Sequence, residues 1–221
     1  MKNLNHLQIE LGYHFSDIQL LELALTHRSF SSNNNERLEF LGDSLINHVV
    51  AEYVYRKFPK ITEGPLSRIR AALVRRESLA ELAINLKIGE YLFLGIGECK
   101  NGGRNRKSIL ADAVEAVVGA IYIDGGFEIA REVILVLYKA KFLAMSEDLA
   151  EKDSKTKIKE YTEAKGLELP IYELESVSGD ADQPIYHVVC RINGSDWVGR
   201  GSAYSPQEAE QIAASLVLSA L

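Results

Sequence analysis

The stretch Glu36-Arg37-Leu38-Glu39-Phe40-Leu41-Gly42-Asp43-Ser44 sets three carboxylates into otherwise apolar sequence. Glu36, Glu39 and Asp43 stand at offsets zero, three and seven, which share one narrow stripe on a helix of about 3.6 residues per turn. Like charges so placed repel. The apolar run LEFLGDSLINHVV around them predicts a helix whose acidic stripe is partly withdrawn from water. A hard divalent cation such as Mg2+ takes oxygen ligands of this kind and relieves the repulsion. A solvated acidic face is the alternative that this stretch alone leaves open.

A second acidic pair bears on that choice. In SILADAVEAVVG, Asp112 and Glu115 stand at i and i+3 on another strongly apolar helical pattern. Two largely buried helices with carboxylates on one face can turn those faces together. The pocket would be all oxygen, with room for one or two Mg2+ ions. Such ions activate water and clamp the oxygens of a phosphodiester during in-line displacement. Otherwise each acid caps a helix or pairs with an arginine, and that account has to hold twice over.

The two motifs, ERLEFLGDS and SILADAVEA, resemble those of bacterial ribonuclease III, a family of Mg2+-dependent endonucleases of double-stranded RNA. ALTHRS upstream, GPLS in the middle and GIGE before the second motif extend the likeness, which covers essentially the whole chain. By that resemblance Glu39, Asp112 and Glu115 are metal ligands, and Asp43 and Glu115 are catalytic. Glu36 supports RNA binding or site geometry. Phe40, between two site acids, reads either as core or, by resemblance, as an apolar knob entering a partner subunit of a symmetric homodimer. The implied cofactor is Mg2+, with Mn2+ as a substitute. The implied products carry 5′-phosphate and 3′-hydroxyl ends, and the implied substrates are ribosomal RNA precursors and structured messenger RNA.

Bulk properties fit a soluble protein. Cys99 and Cys190 lie far apart in unlike contexts, so there is neither zinc spacing nor a disulfide framework, consistent with a reducing cytosol. The N-terminal stretch lacks the apolar core of a signal peptide, and the longest apolar runs are too short to span a bilayer. The expectation is a cytoplasmic protein with no membrane association. The net charge of −6 argues against nucleic-acid binding at face value, but basic residues cluster. Arg68, Arg70, Arg75 and Arg76 form one group; Lys100, Arg104, Arg106 and Lys107 form another. Both suit contacts to RNA phosphates, or are solvated faces.

Residues from about 4 to 145 read as successive amphipathic helices. One is expected from Leu38 to Tyr55, one from Leu66 to Leu86 and one from Ile109 to Ile123. Asp124-Gly125-Gly126 reads as a stop before a last helix, Phe127 to Met145. The remainder has another texture: a helix over Thr156–Lys165, then strands over 171–177, 186–192 and 197–203. Asn193-Gly194 is a hairpin turn, and Ser205-Pro206 opens a helix to Leu221. Read with the resemblance, the expected fold is an all-helical ribonuclease III domain over 1–147, a linker over 148–152, and a small α-β-β-β-α double-stranded-RNA-binding domain over 153–221.

The second domain departs from its family in charge. Thr156, Lys157 and Glu160 match the first RNA-contacting helix, and Ala209 to Ala214 the last. Pro206 and Gln207, however, stand where phosphate-binding basic residues are usual, and Asp182 where a minor-groove histidine often lies. Residues 152–221 hold seven basic against eleven acidic side chains, a net of −4. Weak RNA binding by this domain is the expectation. No histidine forms an ExxH or HExxH pattern, which disfavours a di-iron oxidoreductase or a zinc protease. His27 reads as a packing or RNA-proximal residue. A non-catalytic RNA binder on the same fold would have no need of the four carboxylates, and all are present.

Overall fold

The computed structural model describes residues 4–145, 154–180 and 183–221. The chain divides into two compact units, Met1–Ala150 and Glu151–Leu221. The expected linker over 148–152 lies outside the described residues, as does Asp182.

The first unit is helical: α1 (Leu4–Leu11), α2 (Ile18–Ala24), α3 (Glu36–Lys57), α4 (Glu63–Val74), α5 (Arg76–Asn85), α6 (Ile88–Tyr91), α7 (Ile96–Lys100), a 3₁₀ turn (Gly103–Asn105), α8 (Lys107–Leu137) and α9 (Lys139–Ala144). Its centre is α8, buried almost without interruption from Ile109 to Ile121 and packed on α2, α3 and α5. A helix apolar on all sides must be surrounded, and here other helices surround it. Among the described residues, no helix is long and apolar enough to cross a membrane.

Several boundaries differ from the sequence reading. The helix expected over Leu66–Leu86 breaks at Arg75, whose ψ of 155° ends α4 and starts α5. The break lets α4 pack on α3 while α5 packs on α8, so Ile69 and Leu79 are both buried. Gly126 does interrupt its helix, with φ 81°, but helical geometry resumes at once and ends at Tyr138. Asp124, just before that kink, accepts hydrogen bonds from Tyr13 Oη (2.6 Å) and from the Ser16 and Asp17 amides (2.8 and 3.0 Å). It thereby ties down the N-terminal segment.

The second unit runs α10 (Ser154–Lys165), β1 (Ile171–Asp180), β2 (Gln183–Arg191), β3 (Val198–Ala203) and α11 (Pro206–Ala220). The strands form an antiparallel sheet in the order β1-β2-β3, and both helices belong to a small core of Ile158, Cys190, Ile192, Ala213, Ala214 and Val217. β1 extends three residues further than expected, through a register shift between Leu174 and Ser176. Asn193-Gly194 sits at the centre of a turn closed by Ser195 N–H to the Ile192 carbonyl (3.2 Å), inside a connection spanning 192–197. Ser205 caps α11 as expected: its hydroxyl accepts the Glu208 amide at 3.2 Å, with Pro206 in the first turn.

Candidate metal centre

The site is made by the crossing of α3 on α8. At the crossing a Cβ on Gly42 would lie 1.8 Å from the Glu115 carbonyl oxygen, and one on Gly119 would lie 2.2 Å from that of Leu38. Only glycine permits such backbone-to-backbone approach. That proximity sets the carboxylates of Glu39 from α3 and of Asp112 and Glu115 from α8 side by side. Each of the three offers an oxygen within 4.8 Å of the others, and all three residues are half-buried.

Packing like charges in this way has the expected electrostatic result. The Glu115 carboxyl is pushed up to about 8, first by burial and then by Asp43, Glu39 and Asp112, with Arg76 opposing. Glu39 is raised by burial, Asp112 and Glu36 against the pull of Arg28. Asp112 is raised by burial, while the Arg76 and Arg28 guanidiniums pull the other way. Without a cation the cluster retains a proton near neutral pH, and an all-oxygen donor set of this spacing suits a hard divalent ion.

The remaining candidates stand around this trio. Asp43 is exposed at the rim, near enough to raise Glu115, and Asn47 Nδ2 donates to its Oδ1 at 2.8 Å. Glu36 lies outside the cluster, 3.5 Å from Arg28, with both side chains exposed. Phe40, on the same helix, is 78% exposed and so has no part in its own subunit's core. Beside the trio opens a cavity of about 570 Å3, lined by residues including His27, Arg28, Ser29, Glu36, Glu39, Arg106 and Asp112.

The basic clusters are not uniform. Arg104 is fixed inward, its Nη1 donating to the carbonyls of Gly89, Glu90 and Leu92 at 2.9, 3.3 and 3.1 Å, so it serves the fold rather than a phosphate. Arg106 pairs with Glu98 at 2.8 Å. Arg76 and Arg28 act on the acidic trio itself, and the motif reading gave neither a place there. The in-helix glycines Gly42 and Gly119 are the sequence signal of this close crossing.

In the second unit Thr156, Lys157 and Glu160 all lie on α10. Lys155 on that helix is committed within the domain: its Nζ is 2.6 Å from Glu210 of α11 and 4.7 Å from the Tyr172 ring centroid. Pro206 and Gln207 form the first turn of α11, with Glu208 next to them, so that turn presents no lysine or arginine.

A helical unit with a carboxylate trio at a helix crossing, joined to an α-β-β-β-α module, defines a nuclease carrying a double-stranded-RNA-binding domain. Residues 17–142 match the ribonuclease-III-like family model and residues 154–221 the double-stranded RNA binding motif. Ribonuclease 3 of Hahella chejuensis is 48% identical over 218 residues, 99% of this chain and 96% of that protein. That of Shewanella putrefaciens is 47% identical over 221 residues, 100% and 98% respectively. The nuclease domain of ribonuclease III from Campylobacter jejuni superposes with a TM-score of 0.63 at 47% identity, over 66% of this chain and 100% of that one. The chain belongs to the ribonuclease III family and is an endoribonuclease of that family.

Proposed function

We propose that the protein hydrolyses double-stranded RNA with Mg2+, leaving 5′-phosphate and 3′-hydroxyl ends, with Mn2+ able to replace Mg2+. The observation that carries the reading is the trio Glu39, Asp112 and Glu115, whose oxygens lie within 4.8 Å of one another beneath an open cavity. These three would hold the cation, which when bound supplies an activated water and charge neutralisation at the phosphate. Asp43, held by Asn47 at the rim, orients the attacking water and, with Glu115, has the catalytic role. Glu36 and Arg28 act as a pair that sets the cavity's edge. On this reading the domains are 1–147 and 153–221 with a linker over 148–152, and the protein works in the cytoplasm on ribosomal RNA precursors and structured messenger RNA.

A homodimer completes the reading. Phe40 is a large aromatic side chain, 78% exposed beside the site, and as in the family's symmetric dimer it packs into a cavity of a second subunit. A Campylobacter jejuni nuclease domain is described as flexible in a region involved in dimer formation. Two sites related by a two-fold axis would cut opposite strands with a short 3′ stagger. Thr156, Lys157 and Glu160 are assigned to RNA contact in the second domain. The test is cleavage of a long RNA duplex with and without Mg2+, with end-group analysis of the products. Failure to cleave at any Mg2+ concentration, or 3′-phosphate ends, would overturn the reading.

A further inference from the structure

His27 lies where two segments distant in sequence are stitched together. The Phe93 amide donates to the Leu25 carbonyl at 2.9 Å and the His27 amide to the Phe93 carbonyl at 3.0 Å. The Gly95 amide donates to Ser29 Oγ at 3.0 Å, and a Cβ on Gly95 would stand 2.3 Å from the Ser29 carbonyl oxygen. So rigid a frame fixes the imidazole. Its Nδ1 accepts the Ser29 amide at 3.2 Å and lies 2.8 Å from Ser29 Oγ. An amide N–H can only donate, so Nδ1 is the bare nitrogen and the ring hydrogen is on Nε2. The Ser29 hydroxyl oxygen accepts a hydrogen bond from the Gly95 amide and stands beside Nδ1.

Nε2–H is thus a donor with a fixed tautomer and no hydrogen-bond partner among the described residues. The ring lines the same cavity as Glu39, Asp112 and Arg28. A group that can only donate selects an acceptor. Phosphate oxygens are the acceptors RNA presents most densely, and they carry charge. The scissile phosphate faces the carboxylate trio and its cation, which leaves a neighbouring phosphate for the histidine. We propose that His27 Nε2–H binds a non-bridging oxygen of a phosphate flanking the cut, with Ser29 as the positioning residue that holds the tautomer. The proposal rests on the nuclease reading above and adds a named contact to it.

The experiment compares wild type, His27→Ala, His27→Gln and Ser29→Ala on a duplex RNA in which single flanking linkages are replaced, one at a time, by methylphosphonate. Each variant's circular dichroism melt checks its fold. For the wild type, one flanking replacement should lower kcat/KM roughly ten- to a hundredfold, the loss expected for a hydrogen bond to a charged group. His27→Ala should lose about as much on unmodified RNA and lose nothing further at that linkage. His27→Gln, which keeps an amide N–H near the Nε2 position, should recover part of the rate. Ser29→Ala should fall between. Wild-type cleavage by a folded His27→Ala protein would overturn the proposal. So would a slowed variant that stays sensitive to every linkage as the wild type is, since the histidine would then act only on the fold. A wild type that does not cleave unmodified duplex would instead sink the nuclease reading.

Discussion

The two units hold their charges in opposite ways. In the first, like charges are forced together: Glu39, Asp112 and Glu115 are half-buried side by side, and Glu115 is pushed up to about 8. In the second, opposite charges cancel: Lys155 is spent on Glu210, Arg200 on Glu175 at 3.2 Å and Arg191 on Glu173 at 3.8 Å. Repulsion concentrated in one place is destabilising unless a ligand relieves it, and so it points to a ligand. Charges neutralised within a domain do little for a polyanion. The contrast predicts that RNA recognition rests more on the catalytic unit than the two-domain layout suggests.

The sharpest way to break this comparison is at the acidic cluster. Glu115→Gln keeps size and hydrogen bonding but removes an anionic oxygen, and should lower cleavage by roughly a thousandfold or more while duplex binding persists. Near-normal turnover at saturating Mg2+ would mean the cluster is not the active site. Phe40→Ala should weaken dimerisation by about 3–5 kcal/mol, as for truncation of a buried aromatic. Sedimentation at micromolar protein decides this, and the exposed ring in the subunit predicts little change in the monomer's own stability. Gly42→Ala should cost about 1–3 kcal/mol or more by prising α3 from α8, and should weaken metal binding with it. Calorimetric titration with Mg2+ beside a thermal melt separates the two effects.

The raised Glu115 carboxyl predicts a pH dependence of definite sign. Between its ordinary 4.5 and about 8 the folded protein holds a proton that the unfolded chain has released, so metal-free stability should fall as pH rises across that window. Mg2+ binding expels the proton, so its stabilising effect on the melting temperature should grow from pH 6 to pH 8. An equal effect at both would mean that Glu115 is already ionised without metal. The second unit supplies the smallest expected effects. Residues 1–147 alone should still cleave in low salt with Mg2+. Gln207→Lys should tighten duplex binding by the isolated 152–221 domain severalfold and steepen its log–log salt dependence by about one unit. Strong binding by the unaltered domain at physiological salt would erase the contrast between the units.

The amino-acid sequence by itself determined which acids share a helical stripe and which elements carry them. Spacing at three and seven places acids on one helical stripe, because that follows from helix geometry alone, although only Glu39 of the stripe is half-buried while Glu36 and Asp43 are exposed. Ser205-Pro206 likewise caps α11 through purely local bonds. Only the tertiary structure decided how the stripes meet. That Glu39 rather than Glu36 joins Asp112 and Glu115, a choice that family resemblance named but spacing left open, depends on where α3 crosses α8, and Gly42 lies against the Glu115 backbone at that crossing. The break at Arg75 and the capture of Arg104 by three carbonyls are not legible in the sequence. Each depends on partners brought close by packing from elsewhere in the chain, and neither local propensity nor charge pattern encodes which distant backbone will arrive.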